Sequence, residues 1–300
     1  MSLTVNKIFT FTGHDAPVYA LEVFDENTFF SGGGDRIVSC RELNTDSVAK
    51  AIVSTGSTIY SLKYIPEKNI LLAGVSGGGL HVIDLIEKRE IHFLLNHEKG
   101  IFDIKYSSRH NKIITAGGDG KISSWAGDTF AFQKSLSICS GKIRSIAIDK
   151  DENFAFVGCG DGTIRIIKID QFQEANTIKA HDGSVNALCF HPYLNILISG
   201  GKDAHLNFWS TDLFELIHSI PAHNYAIYSI VFSPTGNYFS TGSRDKNIKI
   251  WNGSSFELLL RIDQTKNQAH THSVNKTLWI NDVLISAGDD RKIIGWKIIE

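Results

Sequence analysis

Three kinds of residue that could carry catalytic chemistry recur along this 300-residue chain at nearly constant spacing. A histidine, a serine or threonine, and an aspartate follow one another in the sets His97/Thr115/Asp119, His181/Ser199/Asp203, His223/Thr241/Asp245 and His270/Ser286/Asp290. A hydroxyl nucleophile, an imidazole base and a carboxylate that orients the base are the parts of a hydrolase triad. An enzyme needs only one such set, so the repetition favours a structural role in a repeated unit.

The aspartate of these sets defines the repeat. Asp245 has counterparts at steps of 42 residues upstream and 45 residues downstream, at Asp35, Gly77, Asp119, Asp161, Asp203 and Asp290. The histidine position holds His14, Thr55, His97, Cys139, His181, His223 and His270. A period of about 40 to 45 residues is typical of propeller blades. Seven copies leave no room for a second domain within residues 1–300.

The stretch from Ala222 to Trp251 shows which elements position these residues. It contains three short runs, 227–232, 237–241 and 248–251, that are rich in β-branched and aromatic residues. The turn 233–237 between the first two has Pro234 and Gly236, which suit a chain reversal. These features predict three strands joined by tight turns. A single three-stranded meander cannot bury its faces, so neighbouring repeats must cover them.

The repeat resembles the WD-repeat (WD40) β-propeller family over essentially the whole chain. Its tryptophan position holds Cys40, Ile83, Trp125, Ile167, Trp209, Trp251 and Trp296, and no copy keeps the family's Trp-Asp dipeptide. The resemblance implies an all-β, seven-bladed propeller with four antiparallel strands per blade, in one domain over residues 1–300. The blade motifs are expected near 14–40, 55–83, 97–125, 139–167, 181–209, 223–251 and 270–296. The segment Val5–Thr12 would complete the last blade beside Arg291–Ile298 and close the ring.

The resemblance also implies a buried, hydrogen-bonded tetrad of histidine, hydroxyl, aspartate and tryptophan in each blade. Four blades carry every member: His97/Thr115/Asp119/Trp125, His181/Ser199/Asp203/Trp209, His223/Thr241/Asp245/Trp251 and His270/Ser286/Asp290/Trp296. The first blade has Cys40 in place of tryptophan, the fourth keeps only Asp161, and the second keeps none. Such networks stabilise when complete and cost stability when half satisfied. Because the indole N–H would occupy the hydroxyl oxygen, we predict no catalytic residues and no enzyme activity.

Other motifs favour structural interpretations. The glycine-rich runs 32–34, 77–79 and 117–121 lack the GxxxxGK[ST] pattern and join strands, so we interpret them as hairpin turns rather than phosphate loops. The one short histidine spacing is His270-Thr271-His272, and we expect no metal and no other cofactor. The four cysteines form no CxxC pair, and we find neither a signal peptide nor an apolar run of ~20 residues. We therefore expect a cytoplasmic protein with reduced thiols.

Partners of this family usually lie over the end of the propeller that carries the histidine loops and the aspartate turns, here called the top face. The predicted binding residues flank the start of each first strand or precede each turn aspartate. They are Tyr19, Tyr60, Phe102, Lys142, Arg144, Lys202, Tyr228 and Arg244. Aromatic and arginine side chains carry much of the energy at protein interfaces. We predict an aromatic sector on blades one to three and a basic sector on blades four to six. The alternative is that the aromatics only plug the channel.

The predicted function is a non-catalytic scaffold that binds a protein or peptide, with acidic or phosphorylated residues as a match for the basic sector. Two other classes stay open. A reader of nucleic acid or of a phosphorylated ligand is disfavoured by the net charge of −2, and a propeller hydrolase by the absence of an acidic cluster at the channel. We expect no membrane association and a monomer. The polar insertion 263–268 is expected to be mobile, either as a partner-contacting loop or as a tolerated surface insertion.

Overall fold

A computed structural model describes residues 3–43 and 49–299. These residues form seven four-stranded antiparallel sheets, each a blade of a β-propeller. The predicted all-β, seven-bladed fold is therefore confirmed. The first strand of each blade packs against the first strands of its neighbours around a central channel, and blades 7 and 1 are joined in the same way. The helical elements of the described chain are a 3₁₀ turn at Pro66–Lys68 and helix α1 at Gln264–Asn267.

The strands follow chain order, from the inner strand at the channel to the outer strand at the rim. Blades 1 to 3 contain β2 (Val18–Val23), β3 (Thr28–Gly33), β4 (Ile37–Glu42) and β5 (Lys50–Ser54); β6 (Ile59–Ile65), β7 (Ile70–Val75), β8 (Gly79–Asp84) and β9 (Arg89–Leu95); β10 (Ile101–Ser107), β11 (Lys112–Gly117), β12 (Lys121–Ala126) and β13 (Phe132–Ser137). Blades 4 and 5 contain β14 (Ser145–Ile148), β15 (Phe154–Gly158), β16 (Thr163–Lys168) and β17 (Gln173–Lys179); β18 (Val185–Phe190), β19 (Ile196–Gly201), β20 (His205–Ser210) and β21 (Leu216–Pro221). Blades 6 and 7 contain β22 (Ile227–Phe232), β23 (Tyr238–Ser243), β24 (Ile248–Asn252) and β25 (Leu258–Ile262); β26 (Val274–Ile280), β27 (Val283–Gly288), β28 (Ile293–Ile299) and β1 (Thr4–Phe11).

Blade 6 shows why these residues form strands. The predicted runs 227–232, 237–241 and 248–251 correspond to β22, β23 and β24 within two residues at each end. Five consecutive residues of β23 are buried, because both faces of this strand are covered by neighbouring blades. Gly236 adopts a φ of 72° in the turn between β22 and β23, a conformation that favours glycine.

The first and last strands close the ring. β1 pairs antiparallel with β28, from Thr4 opposite Ile299 to Phe11 opposite Ile293. This confirms the prediction that the N-terminal segment completes the last blade. A Cβ added at Gly295 would lie 2.3 Å from the ring of Phe9, so a larger residue here would require this ring to move. The pairing covers the edge of β28, which would otherwise present unpaired backbone groups.

The hydrophobic core lies between neighbouring blades. The cluster between blades 1 and 2 contains Ala20, Phe30, Ile59, Leu62, Leu71 and Ile83. Inner strands are also joined by polar side chains: the Ser61 hydroxyl donates to the carbonyl of Ile101 at 2.9 Å. The Asn275 side-chain amide donates to the carbonyl of Val18 at 3.0 Å and links blade 7 to blade 1. Each blade is therefore stabilised by its neighbours, as expected of stacked repeats.

The strand register corrects one predicted position. In a complete blade the tryptophan lies opposite the residue two before the tetrad hydroxyl, as Trp125 lies opposite Ile113. The equivalent residue of blade 1, Phe29, lies opposite Arg41, whereas Cys40 lies opposite Phe30. The assignment of Cys40 to the tryptophan position, and of residue 40 as the end of the first motif, is wrong by one residue. A shift of one residue exchanges the two faces of a strand, so Arg41 lies on the face that tryptophan occupies elsewhere.

Segment 263–268 contains the short helix α1 (Gln264–Asn267). The Asp263 carboxylate caps helix α1 by accepting the backbone N–H of Lys266 at 2.8 Å, and it also pairs with Arg261 at 2.6 Å. The Lys7 amine of β1 donates to the carbonyl of Gln268 at 3.4 Å. These bonds connect the segment to blades 6 and 7. Its mobility stays a prediction. A role in partner contact stays a prediction.

Candidate binding site at the channel mouth

The four complete tetrads hold the loops of the top face in place. In blade 6 His223 Nδ1 donates to Asp245 at 2.9 Å, and the Thr241 hydroxyl lies 2.7 Å from His223 Nε2. The Trp251 indole N–H donates to the same hydroxyl oxygen at 3.0 Å. With a neutral imidazole protonated on Nδ1, an assignment made from this bonding pattern, every donor has an acceptor. The tetrads of His97, His181 and His270 make the same contacts.

The electrostatics of blade 6 agree with a structural role for its tetrad. Burial lowers the pKa of His223 below 6.5, although Asp245 acts in the opposite direction. Burial by itself raises the pKa of Asp245, but the hydrogen bond and charge of His223 and two backbone N–H groups outweigh it and bring the pKa to about 2. The Thr241 side chain has no exposed surface. A buried hydroxyl that is bonded on both sides is not placed to attack a substrate.

The hydroxyl-bearing residues of the other complete tetrads are equally inaccessible. Thr115, Ser199 and Ser286 are each 0% exposed. Their hydroxyls lie 2.8, 2.8 and 2.9 Å from Nε2 of the tetrad histidine. Each oxygen also accepts the indole N–H of the tetrad tryptophan, at 3.2, 2.8 and 2.8 Å. A substrate or partner cannot reach these buried oxygens, which agrees with the structural role predicted for the tetrads.

The incomplete blades satisfy their polar groups in other ways. In blade 1 His14 keeps its aspartate and serine partners at 2.6 and 2.9 Å. In blade 2 the Thr55 hydroxyl donates to backbone carbonyls. In blade 4 Asp161 accepts bonds from the N–H and hydroxyl of Thr163 and from the guanidinium of Arg165. The aspartates of blades 1 and 4 therefore have hydrogen-bond partners although their tetrads are incomplete. A buried carboxylate without such partners would destabilise the fold.

Two cysteines occupy the tetrad space of blade 4. Cys139 replaces the histidine, and Cys159 stands two residues before the turn aspartate. The same position holds Gly117 in blade 3, Gly201 in blade 5 and Ser243 in blade 6, so blades with a complete tetrad have a small residue there. The hydrogen bond between the two thiols lowers the pKa of Cys139 and raises the pKa of Cys159.

The top end of the central channel opens into a cavity of about 350 Å³. Its lining consists of Tyr19, Tyr60, Phe102, Lys142, Arg144, Asn186, Tyr228, Asn275, Lys276 and Asp289. Most of these residues come from the start of an inner strand, directly after the loop that a tetrad histidine anchors. Six of the eight sequence-predicted binding residues, all except Lys202 and Arg244, thus lie around one cavity. Concave sites with convergent polar and aromatic groups are typical of ligand binding.

Aromatic rings form a continuous arc along one side of this channel mouth. Tyr19 and Tyr60 meet edge to face with ring centres 5.4 Å apart, and Tyr60 and Phe102 stack at 4.8 Å. The Arg144 guanidinium lies 5.0 Å and the Lys142 amine 5.6 Å from the ring centre of Phe102. Cation–π attraction favours both contacts. The aromatic residues of blades 1 to 3 and the basic residues of blade 4 therefore meet at Phe102.

Lys202 and Arg244 do not belong to the described lining of the cavity. Both residues are exposed on blades 5 and 6. The Arg244 guanidinium lies 6.0 Å from the ring centre of Tyr225, which is 60% exposed. Tyr225 has no counterpart among the sequence-predicted positions, because it lies two residues before its strand and the predicted positions lie next to the strand start. These residues are available to a partner that extends beyond the channel.

Lys276 and Asp289 bring charges of both signs to the channel mouth. Burial lowers the pKa of Lys276, although the Asp103 carboxylate opposes this effect. The Asp289 carboxylate accepts a bond from the Asn275 side chain at 2.7 Å. Burial, followed by the nearby Asp289, raises the pKa of Tyr19. Lys276 also lies outside the predicted positions; its signal in the sequence is a lysine in an inner strand that is otherwise mainly apolar.

Two further observations concern metals and membranes. Within residues 3–43 and 49–299, no group of three or more His, Cys, Asp or Glu side chains is arranged to hold a metal ion. His270 belongs to a tetrad, and the ring of His272 hydrogen-bonds the hydroxyl of Thr271 at 2.9 Å. Over the same residues, no helix has the length and apolar character needed to cross a bilayer.

Comparison with known proteins assigns the family. The model for the WD40 family, described as "WD domain, G-beta repeat", matches residues 5–40, 88–126, 132–168, 172–210 and 214–252. These segments cover more than half of the chain, which therefore belongs to the WD40 family. The crystal structure of the WD40 β-propeller domain of Doa1 matches with a TM-score of 0.86, over 98% of this chain and 97% of that one. The identity is 17%, so this likeness shows the fold alone.

Two curated proteins are similar over shorter segments. Ribosome biogenesis protein ytm1 of Pyrenophora tritici-repentis (strain Pt-1C-BFP) is 30% identical over 124 residues, which are 39% of this chain. Autophagy-related protein 16 of Arabidopsis thaliana is 27% identical over 105 residues, which are 34% of this chain. The matched segments span 26% and 20% of the lengths of those two proteins. Similarity of this extent concerns the repeats, and function must be argued from the site.

Proposed function

We propose that this protein is a non-catalytic scaffold that binds a protein or peptide segment over the channel mouth of the top face. The observation that carries the proposal is the single cavity that gathers Tyr19, Tyr60, Phe102, Lys142, Arg144 and Tyr228. Membership of the WD40 family supports a binding role, and the two similar proteins are named for ribosome biogenesis and autophagy. We place the protein in the cytoplasm, in agreement with its four free cysteines.

The chemistry of the arc defines the partner. Tyr19, Tyr60 and Phe102 are each partly exposed. A partner side chain that covers them would bury apolar surface, which stabilises the complex by about 25 cal/mol per Å². Arg144 and Lys142 lie at the end of the arc, within reach of a carboxylate or phosphate. The best match is a peptide that carries an apolar or aromatic residue close to an acidic or phosphorylated one.

A second candidate function is a reader of nucleic acid or of another phosphorylated ligand. The observation that favours it is the group Lys142, Arg144 and Lys276 at one cavity, next to rings on which bases could stack. Asp289 in the same lining and the net charge of −2 weaken this electrostatic attraction. Binding of RNA or DNA that falls steeply with salt would favour this candidate over the peptide.

The test is affinity capture with mass spectrometry on three forms of the protein. The first is wild type, and the second carries Tyr60→Ala, Phe102→Ala and Arg144→Ala. The matched control carries Tyr193→Ala and Leu213→Ala, two exposed side chains (68% each) in loops at the opposite end of the propeller. We expect the control to retain the wild-type partners and the triple variant to lose them. If the triple variant retains every partner, the proposal is wrong.

A further inference from the structure

The outer cleft between blades 7 and 1 contains a buried charge that the tetrad pattern does not explain. Arg41 stands where complete blades have tryptophan, as its pairing with Phe29 shows. His14 of the same blade keeps its bonds to Asp35 and Ser31. The substitution therefore replaces a neutral indole with a guanidinium and leaves the other tetrad members in place.

The Arg41 side chain forms no direct ion pair with a described residue. Arg41 is 6% exposed, and its Nε makes no hydrogen bond to any described residue. Its guanidinium lies 5.1 Å from the ring centre of Phe11 and takes part in none of the ion pairs formed within residues 3–43 and 49–299. The two carboxylate oxygens of Asp35 are already bonded to His14 and to the Ile37 N–H. Burial lowers the pKa of Arg41, and the charge of the Asp35 carboxylate only partly opposes this effect. A carboxylate bound directly to the guanidinium would therefore stabilise this arrangement.

A cavity of about 540 Å³ opens next to Arg41. It is lined by residues 8–13 of β1 and the following loop and by Asp35, Ile37, Ser39, Arg41, Ala49 and Ala51. Phe9 and Phe11 stack on one another in this wall, with ring centres 4.4 Å apart. The cavity therefore combines a flat apolar wall, hydroxyl-bearing side chains and one guanidinium.

Blades 5 and 6 fill the equivalent space with a longer side chain. The residue four after the turn aspartate bridges to the carbonyl that precedes the tetrad histidine. Asn207 donates to Ala180 at 2.6 Å, and Lys249 donates to Ala222 at 2.6 Å. In blade 1 the same position is Ser39, whose side chain is too short for this bridge. The space that a longer side chain fills in those blades is open here.

We propose that this cleft is a binding site for a small organic monocarboxylate, with the carboxylate on Arg41 and a flat apolar body along Phe9 and Phe11. Arginine presents parallel N–H donors that match the two oxygens of a carboxylate. The Asp35 carboxylate lines the same cavity, so a singly charged anion fits better than a doubly charged phosphate. The site lies at the outer rim, away from the channel mouth, and does not depend on the proposed peptide binding.

The test is isothermal titration of the full-length protein with sodium benzoate and, separately, with inorganic phosphate. We expect saturable binding of benzoate, with phosphate at least about tenfold weaker. Arg41→Met should weaken benzoate binding at least about tenfold, because it removes a charge-assisted hydrogen bond of about 1.5–3 kcal/mol. Absence of saturable benzoate binding, or an unchanged affinity in Arg41→Met, would overturn the proposal.

Two further variants keep the test valid if Arg41→Met fails to fold. Arg41→Trp restores the residue found in complete blades and should fold, fill the cavity and abolish benzoate binding. Ala51→Leu narrows the cavity without altering the charge and should also weaken binding, whereas Ala→Leu at an unrelated exposed site should not.

Discussion

Removal of one tetrad carboxylate tests whether these sets stabilise the propeller. In Asp245→Ala, His223 Nδ1 and the backbone N–H groups of Asn224 and Asn247 lose acceptors at 2.9, 3.0 and 3.0 Å. A buried donor left without an acceptor costs about 1–3 kcal/mol. The pKa of Asp245 gives a second measure of this loss of stability. It falls from an ordinary 3.8 to about 2 in the folded protein, and this difference corresponds to about 2 kcal/mol in the free energy of unfolding. We expect a loss of about 3 kcal/mol.

The matched control is Asp161→Ala in blade 4. This aspartate bonds Thr163 and Arg165, and its side chain is 30% exposed, so water can replace its partners. We expect a loss below about 1 kcal/mol. The assay is urea-induced unfolding followed by far-UV circular dichroism at pH 7. Equal losses in the two variants would refute the reasoning that a buried, complete network carries the stability.

The same pair of variants predicts a pH dependence. A carboxylate with a lowered folded-state pKa stabilises the fold above its unfolded value, and this stability is lost as the pH falls through the folded value. For Asp245 the window runs from about pH 4 down to about pH 2. The lowered pKa of His223 adds a loss in the same direction as the pH falls below 6.5. The stability gap between wild type and Asp245→Ala should narrow on acidification, and a constant gap from pH 7 to pH 3 would contradict the assignment.

Two further predictions test local features. Cys139 should be alkylated by iodoacetamide at pH 7 before the other three cysteines, because its pKa is lowered while theirs are raised. Peptide mass spectrometry checks this, and uniform labelling would contradict it. Gly120→Ala should cost at least about 2 kcal/mol more than Gly56→Ala, because both residues have positive φ but only the former puts a Cβ 2.0 Å from the Cys139 carbonyl oxygen. Thermal unfolding compares the two variants, and equal midpoints would show that the backbone clash is relieved at no cost.

The fold could be predicted from the sequence because its signals are repeated. A single run such as 248–251 could belong to many structures, but seven copies at one spacing specify stacked blades. The family resemblance that the period revealed also implied the tetrads and the closure by β1. It failed at Arg41, where the absence of tryptophan removed the landmark for the register and only the pairing with Phe29 fixed it.

The sequence predicts most residues of the candidate site but not how they are arranged. Tyr60 and Phe102 could be found from their positions in the sequence, because the start of each inner strand fixes which side chains reach the channel mouth. The placement of Arg144 over Phe102 depends on distances between blades, which a linear pattern does not contain. The same limit applies to the contact between Cys139 and Cys159, since each residue looks like an isolated substitution in the sequence.

Binding of an identified partner to two single variants tests the central claim most directly. Arg144 lines the channel mouth, whereas Lys202 carries the same charge on the top face outside the described lining. Titration of a peptide from the captured partner should give an affinity at least about tenfold weaker for Arg144→Ala and nearly unchanged for Lys202→Ala. A loss in Lys202→Ala with wild-type affinity in Arg144→Ala would contradict binding over the channel mouth.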